Sequence, residues 1–185
     1  MSIPSFLGPL LPLQAISLGM EVSLLGGAAA NTLNFSMETQ EQDNWCWAAT
    51  SVSVSHFFNS ASTWTQCGVA TACLGGSCCD QPMTCDVAYY LDEALKKTGN
   101  LNGAAIAGNE SSSNVNAQID QNRPVCCHIT WSGGGGHFVA ITGYDTANGD
   151  VDVADPYYGS LTLPYTSFVN NYRGSGVWDY TYLTM

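Results

Sequence analysis

Along residues 31–43 (NTLNFSMETQEQD) apolar Leu33, Phe35 and Met37 alternate with polar neighbours, the period of two that predicts a half-buried strand. From Trp45 to Phe58 there is neither Gly nor Pro, and Ala48, Ala49, Val52 and Phe57 share a helical face. This predicts a buried helix, with Asp43-Asn44 as its N-cap. Residues 59–86 carry Cys, Gly, Ser and Thr without an apolar stripe and read as a loop held by cross-links. The stretch Asp86–Thr98 (DVAYYLDEALKKT) returns to helical spacing and ends on Lys96-Lys97, favourable at a helix C-terminus, before Gly99 stops it. Ser111-Ser112-Ser113 opens a shorter helix toward Gln121. Beyond Pro124 the pattern becomes that of strands: Val125–Trp131, His137–Tyr144, Val151–Asp155, Leu161–Tyr165 and Val177–Leu183, separated by turn residues.

Helices first and strands second predict an α+β domain, with a helical lobe leading into an antiparallel sheet lobe. A chain of 185 residues fits one such domain. Residues 1–30 are apolar but hold no Lys or Arg and are broken by Pro4, Pro9, Pro12 and Glu21. They match neither a secretory signal nor a membrane helix, and read as an N-terminal extension or pro-segment ahead of a domain at 31–185. Four basic against fifteen acidic residues, a net charge of -11, oppose binding to nucleic acid or anionic membranes. The eight cysteines suit disulfides in an exported protein, with Cys67, Cys73, Cys78, Cys79 and Cys85 as the candidates. That cluster lacks the paired spacing of a zinc module, so no metal is expected. If one cysteine stays reduced, at least one of the other seven is unpaired or bonds another chain.

Cys46 falls in the first turn of the first predicted helix. There about half a positive charge and unpaired N–H groups favour a thiolate. A thiolate nucleophile needs an imidazole as base and later as acid. His56 lies ten residues further along the same helix, about 15 Å away along its axis, and cannot serve. His128 sits inside an apolar strand, where a packing or cross-strand role is expected. His137 opens a strand directly after Gly133-Gly134-Gly135-Gly136, a run that lets a peptide backbone come close. Asp155, which ends the next strand before Pro156, is placed to orient that imidazole, with Asp150 and Asp152 as alternatives nearer the turn. Gln40, six positions ahead of Cys46, is the candidate oxyanion donor, and Gln42 its substitute. Trp47, Gly135 and Gly136 flank these groups and are the expected substrate-binding positions.

The segment Gln40–Ala49 with its WCWAA core, followed by His137 and Asp155-Pro156, resembles the papain-like cysteine peptidase superfamily, and within it the bacterial AvrRpt2-like peptidases. The Asp-Pro pair also resembles the bacteriocin-processing peptidases. The resemblance implies a papain-like fold and a Cys-His-Asp endopeptidase acting on protein or peptide substrates with no cofactor, often with a self-cleaved pro-segment. Ile3-Pro4-Ser5-Phe6 is faintly similar to an AvrRpt2 processing site, and Leu24-Leu25-Gly26-Gly27 to double-glycine leader sites. The cysteine-rich loop and Cys126-Cys127 depart from the pattern. Two other readings share the residues: an amide-transfer enzyme of the transglutaminase or deamidase kind, and a peptide-binding module without activity.

Overall fold

The computed structural model describes residues 29–185; the segments Ile3–Phe6 and Leu24–Gly27 lie outside the described residues. Strand β1 (Ala30–Thr32) comes first. The helical lobe follows: α1 (Cys46–Phe58), α2 (Gln66–Leu74), a 3-10 turn (Pro82–Cys85) and α3 (Leu91–Thr98). A short strand β2 (Ile106–Ala107) and helix α4 (Ser112–Asp120) lead into the sheet lobe. It is made of β3 (Val125–Trp131), β4 (Gly136–Asp145), β5 (Asp150–Ala154), β6 (Leu161–Pro164), helix α5 (Tyr165–Asn171) and β7 (Gly176–Tyr182).

The sheet runs β2-β7-β3-β4-β5-β6, and β1 also pairs with β4. Every pairing is antiparallel. β4 is longer than its neighbour, so β3 covers it from Gly136 to Ile141 and β1 takes over from Gly143 to Asp145. One face of the sheet meets α1, with Phe138, Ala140 and Tyr182 packed on Trp47, Ala48 and Val52. The other face carries Val139, Ile141, Val151 and Val153 under α4 and α5.

Cys126 and Cys127 are adjacent in β3, so they point to opposite faces, one into each core, and both are fully buried. They serve there as small apolar residues. Burial pushes the Cys126 thiol up to about 12 and the Cys127 thiol well up too, which keeps both protonated.

The structure corrects several expectations. The strand over 31–43 shrinks to β1, because beyond Thr32 the chain runs in the seam between the lobes. There Phe35 packs on both cores without a ladder partner. Asp43-Asn44 does not cap α1: the N-cap is Trp45, with no side-chain bond, while Asn44 turns away to Asp86 (backbone N to Oδ1, 2.8 Å). The second predicted helix is shorter than expected, since α3 begins only at Leu91 and leaves Asp86–Tyr90 outside it.

The cysteine-rich stretch contains the unexpected helix α2. Thr65 caps it by accepting the Gly68 N–H at 3.1 Å, and only Gln66, Val69 and Ala70 are buried along it. Disulfide Cys67–Cys79 fastens it to the following turn, and Cys78–Cys85 ties that turn to the 3-10 segment. Cys73, a disulfide candidate, is free. α5 was also unexpected; it starts where Pro164 ends β6 and buries a single residue, Phe168.

Candidate active site

α1 and β4 meet at one end of the domain. Trp45 and Trp47 fix the start of α1, because their indole N–H groups donate to the backbone carbonyls of Cys85 (2.7 Å) and Val87 (3.0 Å). Cys46 is thereby held between two anchored rings at an N-terminus that no side chain caps. The unpaired N–H groups and the helix dipole are available to an anion.

His137, the second residue of β4, is buried beside Asp155, just past the end of β5. Its Nε2 is 2.9 Å from Asp155 Oδ1, which leaves Nδ1 for the Cys46 thiol. Burial alone would lower the His137 pKa. The hydrogen bonds to Asp155 and Cys46, with their charges, outweigh it and raise the imidazole to about 9. For Asp155 burial acts upward, but His137, the Tyr158 N–H and the Tyr172 hydroxyl win and hold the carboxyl below its ordinary range.

Asp155 is saturated with donors. Oδ1 also accepts the backbone N–H of Tyr157 (2.8 Å) and Tyr158 (2.9 Å), and Oδ2 accepts the Tyr172 hydroxyl at 2.7 Å. The Arg173 Nε stands 3.8 Å from Oδ2, and its guanidinium lies over the Tyr158 ring at 4.3 Å. Arg173 adopts φ 48°, a left-handed conformation unusual for a long side chain, and this conformation delivers it to the site. Trp131 stacks on His137 at 6.2 Å and Tyr158 meets it edge-on at 6.1 Å, so aromatic rings shield the imidazole.

Sequence reading missed Trp131, Tyr158, Tyr172 and Arg173. Asp155-Pro156 was a turn signal, and the turn is what aims the Tyr157 and Tyr158 N–H groups. Nothing in the spacing marked Tyr172-Arg173.

The alternatives fall elsewhere. Asp152 bonds Thr32 (2.7 Å) and Thr162 (2.6 Å), and Asp150 pairs with Pro164 at the far end of β5. His56 is engaged by Glu38 at 3.1 Å and by the Trp64 carbonyl at 3.1 Å. Gln40 turns its amide inward, donating to the carbonyls of Gln42 (2.9 Å) and Asp43 (2.7 Å) just ahead of α1, and its Oε1 is buried without a partner.

Gly134 (φ 91°) and Gly135 (φ 82°) have the positive φ that the β3–β4 hairpin requires. Of the expected substrate-binding positions, Trp47 and Gly136 line a cavity of about 390 Å³ that also opens onto Cys46, and Gly135 does not. Among the described residues no group of His, Cys, Asp and Glu is arranged to hold a metal ion.

No curated protein matches this sequence. The solved structures similar to it include the following two. One is a double glycine motif protease from an AMS/PCAT transporter, solved in complex with the leader peptide. It is 17% identical, with 80% of this chain and 94% of that chain covered and a TM-score of 0.49. The other is the Pseudomonas avirulence protein AvrPphB, 10% identical, with 82% of this chain and 97% of that chain covered and a TM-score of 0.40. Residues 32–181, which span α1, the β4 and β5 positions of His137 and Asp155, and nearly all of β7, match the Peptidase C39 like family. The chain belongs to that family and is a cysteine peptidase.

Proposed function

We propose that peptide bonds are cleaved here by a Cys46-His137-Asp155 triad. The observation that carries this reading is His137, whose Nε2 is bonded to Asp155 while its other side meets the Cys46 thiol. The Cys46 thiol passes its proton to His137, which leaves the negative charge on Sγ. The sulfur attacks the carbonyl carbon, and the oxyanion takes the backbone N–H of Cys46 with an amide N–H of Gln40, or of Gln42 as substitute. Gln40 needs only to turn one N–H from the carbonyls it now serves. His137 then gives its proton to the leaving amine as the C–N bond breaks. A water, deprotonated by His137, attacks the acyl-enzyme; the acid leaves and the thiol is restored.

The same site is proposed to remove the N-terminal segment. Ala30 pairs with Asp145, and the Ala29 N–H donates to Thr146 Oγ1 at 2.8 Å, which supports a boundary ahead of Ala29. His137 is eight residues from Asp145 along β4, a span of about 26 Å at ~3.3 Å per residue. Gly27 is three residues ahead of Ala30, a reach of about 10 Å. Cleavage at Gly26-Gly27 therefore has to occur between molecules. Ile3–Phe6 is far enough along the chain to reach its own Cys46. The two disulfides suit an oxidising, exported setting.

The test incubates the full chain with casein at two protein concentrations and follows intact masses and new N-termini. Casein peptides and a processing rate at Gly27 that rises with protein concentration are expected. Ammonia release without chain cleavage would reverse the reading in favour of amide transfer. A Gly27 rate independent of dilution would overturn the intermolecular step.

A further inference from the structure

His128 and Asp179 form a second imidazole–carboxylate pair, and His128 lies on the wall of the cavity that opens onto Cys46. The peptidase chemistry above uses neither. Nδ1 of His128 is 2.7 Å from Asp179 Oδ1, and Thr130 Oγ1 donates to the other oxygen at 2.6 Å. The carboxylate can only accept, so in the neutral ring the proton is on Nδ1 and Nε2 is an acceptor.

This arrangement has structural provisions of its own. β3 and β7 are in register at His128↔Tyr180 and again at Ile129↔Trp178, so Asp179 is the extra residue of a β-bulge. A bulge re-aims one side chain, and this one turns the Asp179 carboxylate toward His128 and Thr130. The ring packs beside Phe138, with centroids 4.9 Å apart. Its Nε2 lies so close to Gly136 that a Cβ there would come within 2.1 Å of it. Gly136 also lines the cavity, so the residue immediately before His137 must lack a side chain for His128 to face the space beside Cys46. A pair that merely joined two strands would need only the Nδ1 bond. Nε2 has no hydrogen-bond partner among the described residues.

The rest of the cavity wall is largely aromatic, with Trp47, Tyr89, Phe138 and Tyr182, and it carries the acidic Asp92. We propose that His128 is a specificity-determining residue. Held by Asp179, it offers Nε2 to a substrate side chain with an apolar body and a hydrogen-bond donor at its tip, of which tyrosine is the type. This rests on the reading that Cys46 cleaves peptides. A buried acceptor left unpaired by phenylalanine penalises the residue that lacks the donor, which is how such a site discriminates.

The test starts from a positional-scanning library of fluorogenic peptides on the wild-type chain. It then compares matched peptides with tyrosine or phenylalanine at the most selective position near the cleaved bond. The wild type is expected to favour tyrosine by about tenfold in kcat/KM. His128→Phe should bring that ratio close to one, because it removes the acceptor that tyrosine pairs and phenylalanine leaves unpaired. His128→Gln, whose side-chain oxygen reaches toward the Nε2 position, should keep part of the preference. Should His128→Phe fail to fold, Asp179→Ala, which frees the ring, should lower the same ratio. A tyrosine preference that survives both losses, or its absence from the wild type, overturns the proposal. A wild type that cuts no peptide in a Cys46-dependent way overturns the peptidase reading itself, a different result from cleavage without selectivity.

Discussion

Cys46→Ala is expected to lower peptide hydrolysis by about 10⁴-fold or more, and His137→Ala by a similar factor, because nucleophile and base act as one unit and losing either removes the covalent route. The double variant should be little worse than either single one. The Cys46 change should not unfold the protein. Cys46 is buried at the helix start with its neighbours Trp45 and Trp47 anchored independently, and alanine only shortens the side chain between them. Circular dichroism should therefore be unchanged while turnover is lost. Wild-type cleavage by either variant would remove the assignment.

Asp155→Ala should be costly to both stability and activity. The carboxylate receives His137, the Tyr157 and Tyr158 N–H groups and the Tyr172 hydroxyl, with Arg173 at 3.8 Å. Alanine leaves these donors buried around a methyl group. Breaking a buried pair in this way costs about 3–5 kcal/mol, a large share of the ~5–15 kcal/mol that holds a domain together.

The pH dependence follows from the direction of each shift. His137 is raised to about 9, so its contribution to stability is whole below the ordinary imidazole pKa and is lost as the pH climbs through about 9. Asp155 is lowered, so its contribution is present above the ordinary carboxyl pKa and is lost as the pH falls through its depressed value. The basic limb of kcat/KM should fall near pH 9 in the wild type. In Asp155→Ala it should move down toward the ordinary imidazole range. A basic limb that stays put would show that Asp155 does not hold the proton on His137.

How much of this was legible in the sequence depends on whether the signal is periodic. The lobes could be read because α1 and the strands from Val125 onward are long and bury a regular face. α2 and α5 could not, since each hides only one to three side chains and is placed by its surroundings, α2 by the Cys67–Cys79 disulfide and α5 by Pro164 and Phe168. The cap at Asp43-Asn44 failed because Asn44 found a tertiary partner in Asp86. At the site, Cys46, His137 and Asp155 stood out because rare residue types fell at element ends. Tyr172 and Arg173 reach Asp155 only through the turn after α5, and Trp131 reaches His137 only through the β3–β4 hairpin. Those contacts are made by topology, and no local spacing encodes them. Cys126-Cys127 looked anomalous in one dimension and is ordinary in three, each thiol filling its own core.

Alkylation by iodoacetamide, followed by peptide mass mapping, tests the central claim most directly. The chain has four free thiols: Cys46, Cys73, Cys126 and Cys127. Burial raises the last three and keeps them protonated, so only a thiolate at Cys46 should react quickly. One label per chain, on Cys46, with simultaneous loss of peptidase activity, slowing in acid and slowing again in His137→Ala, is the predicted result. Labelling of Cys46 no faster than of Cys73, or full peptide cleavage by chains already alkylated at Cys46, would contradict it.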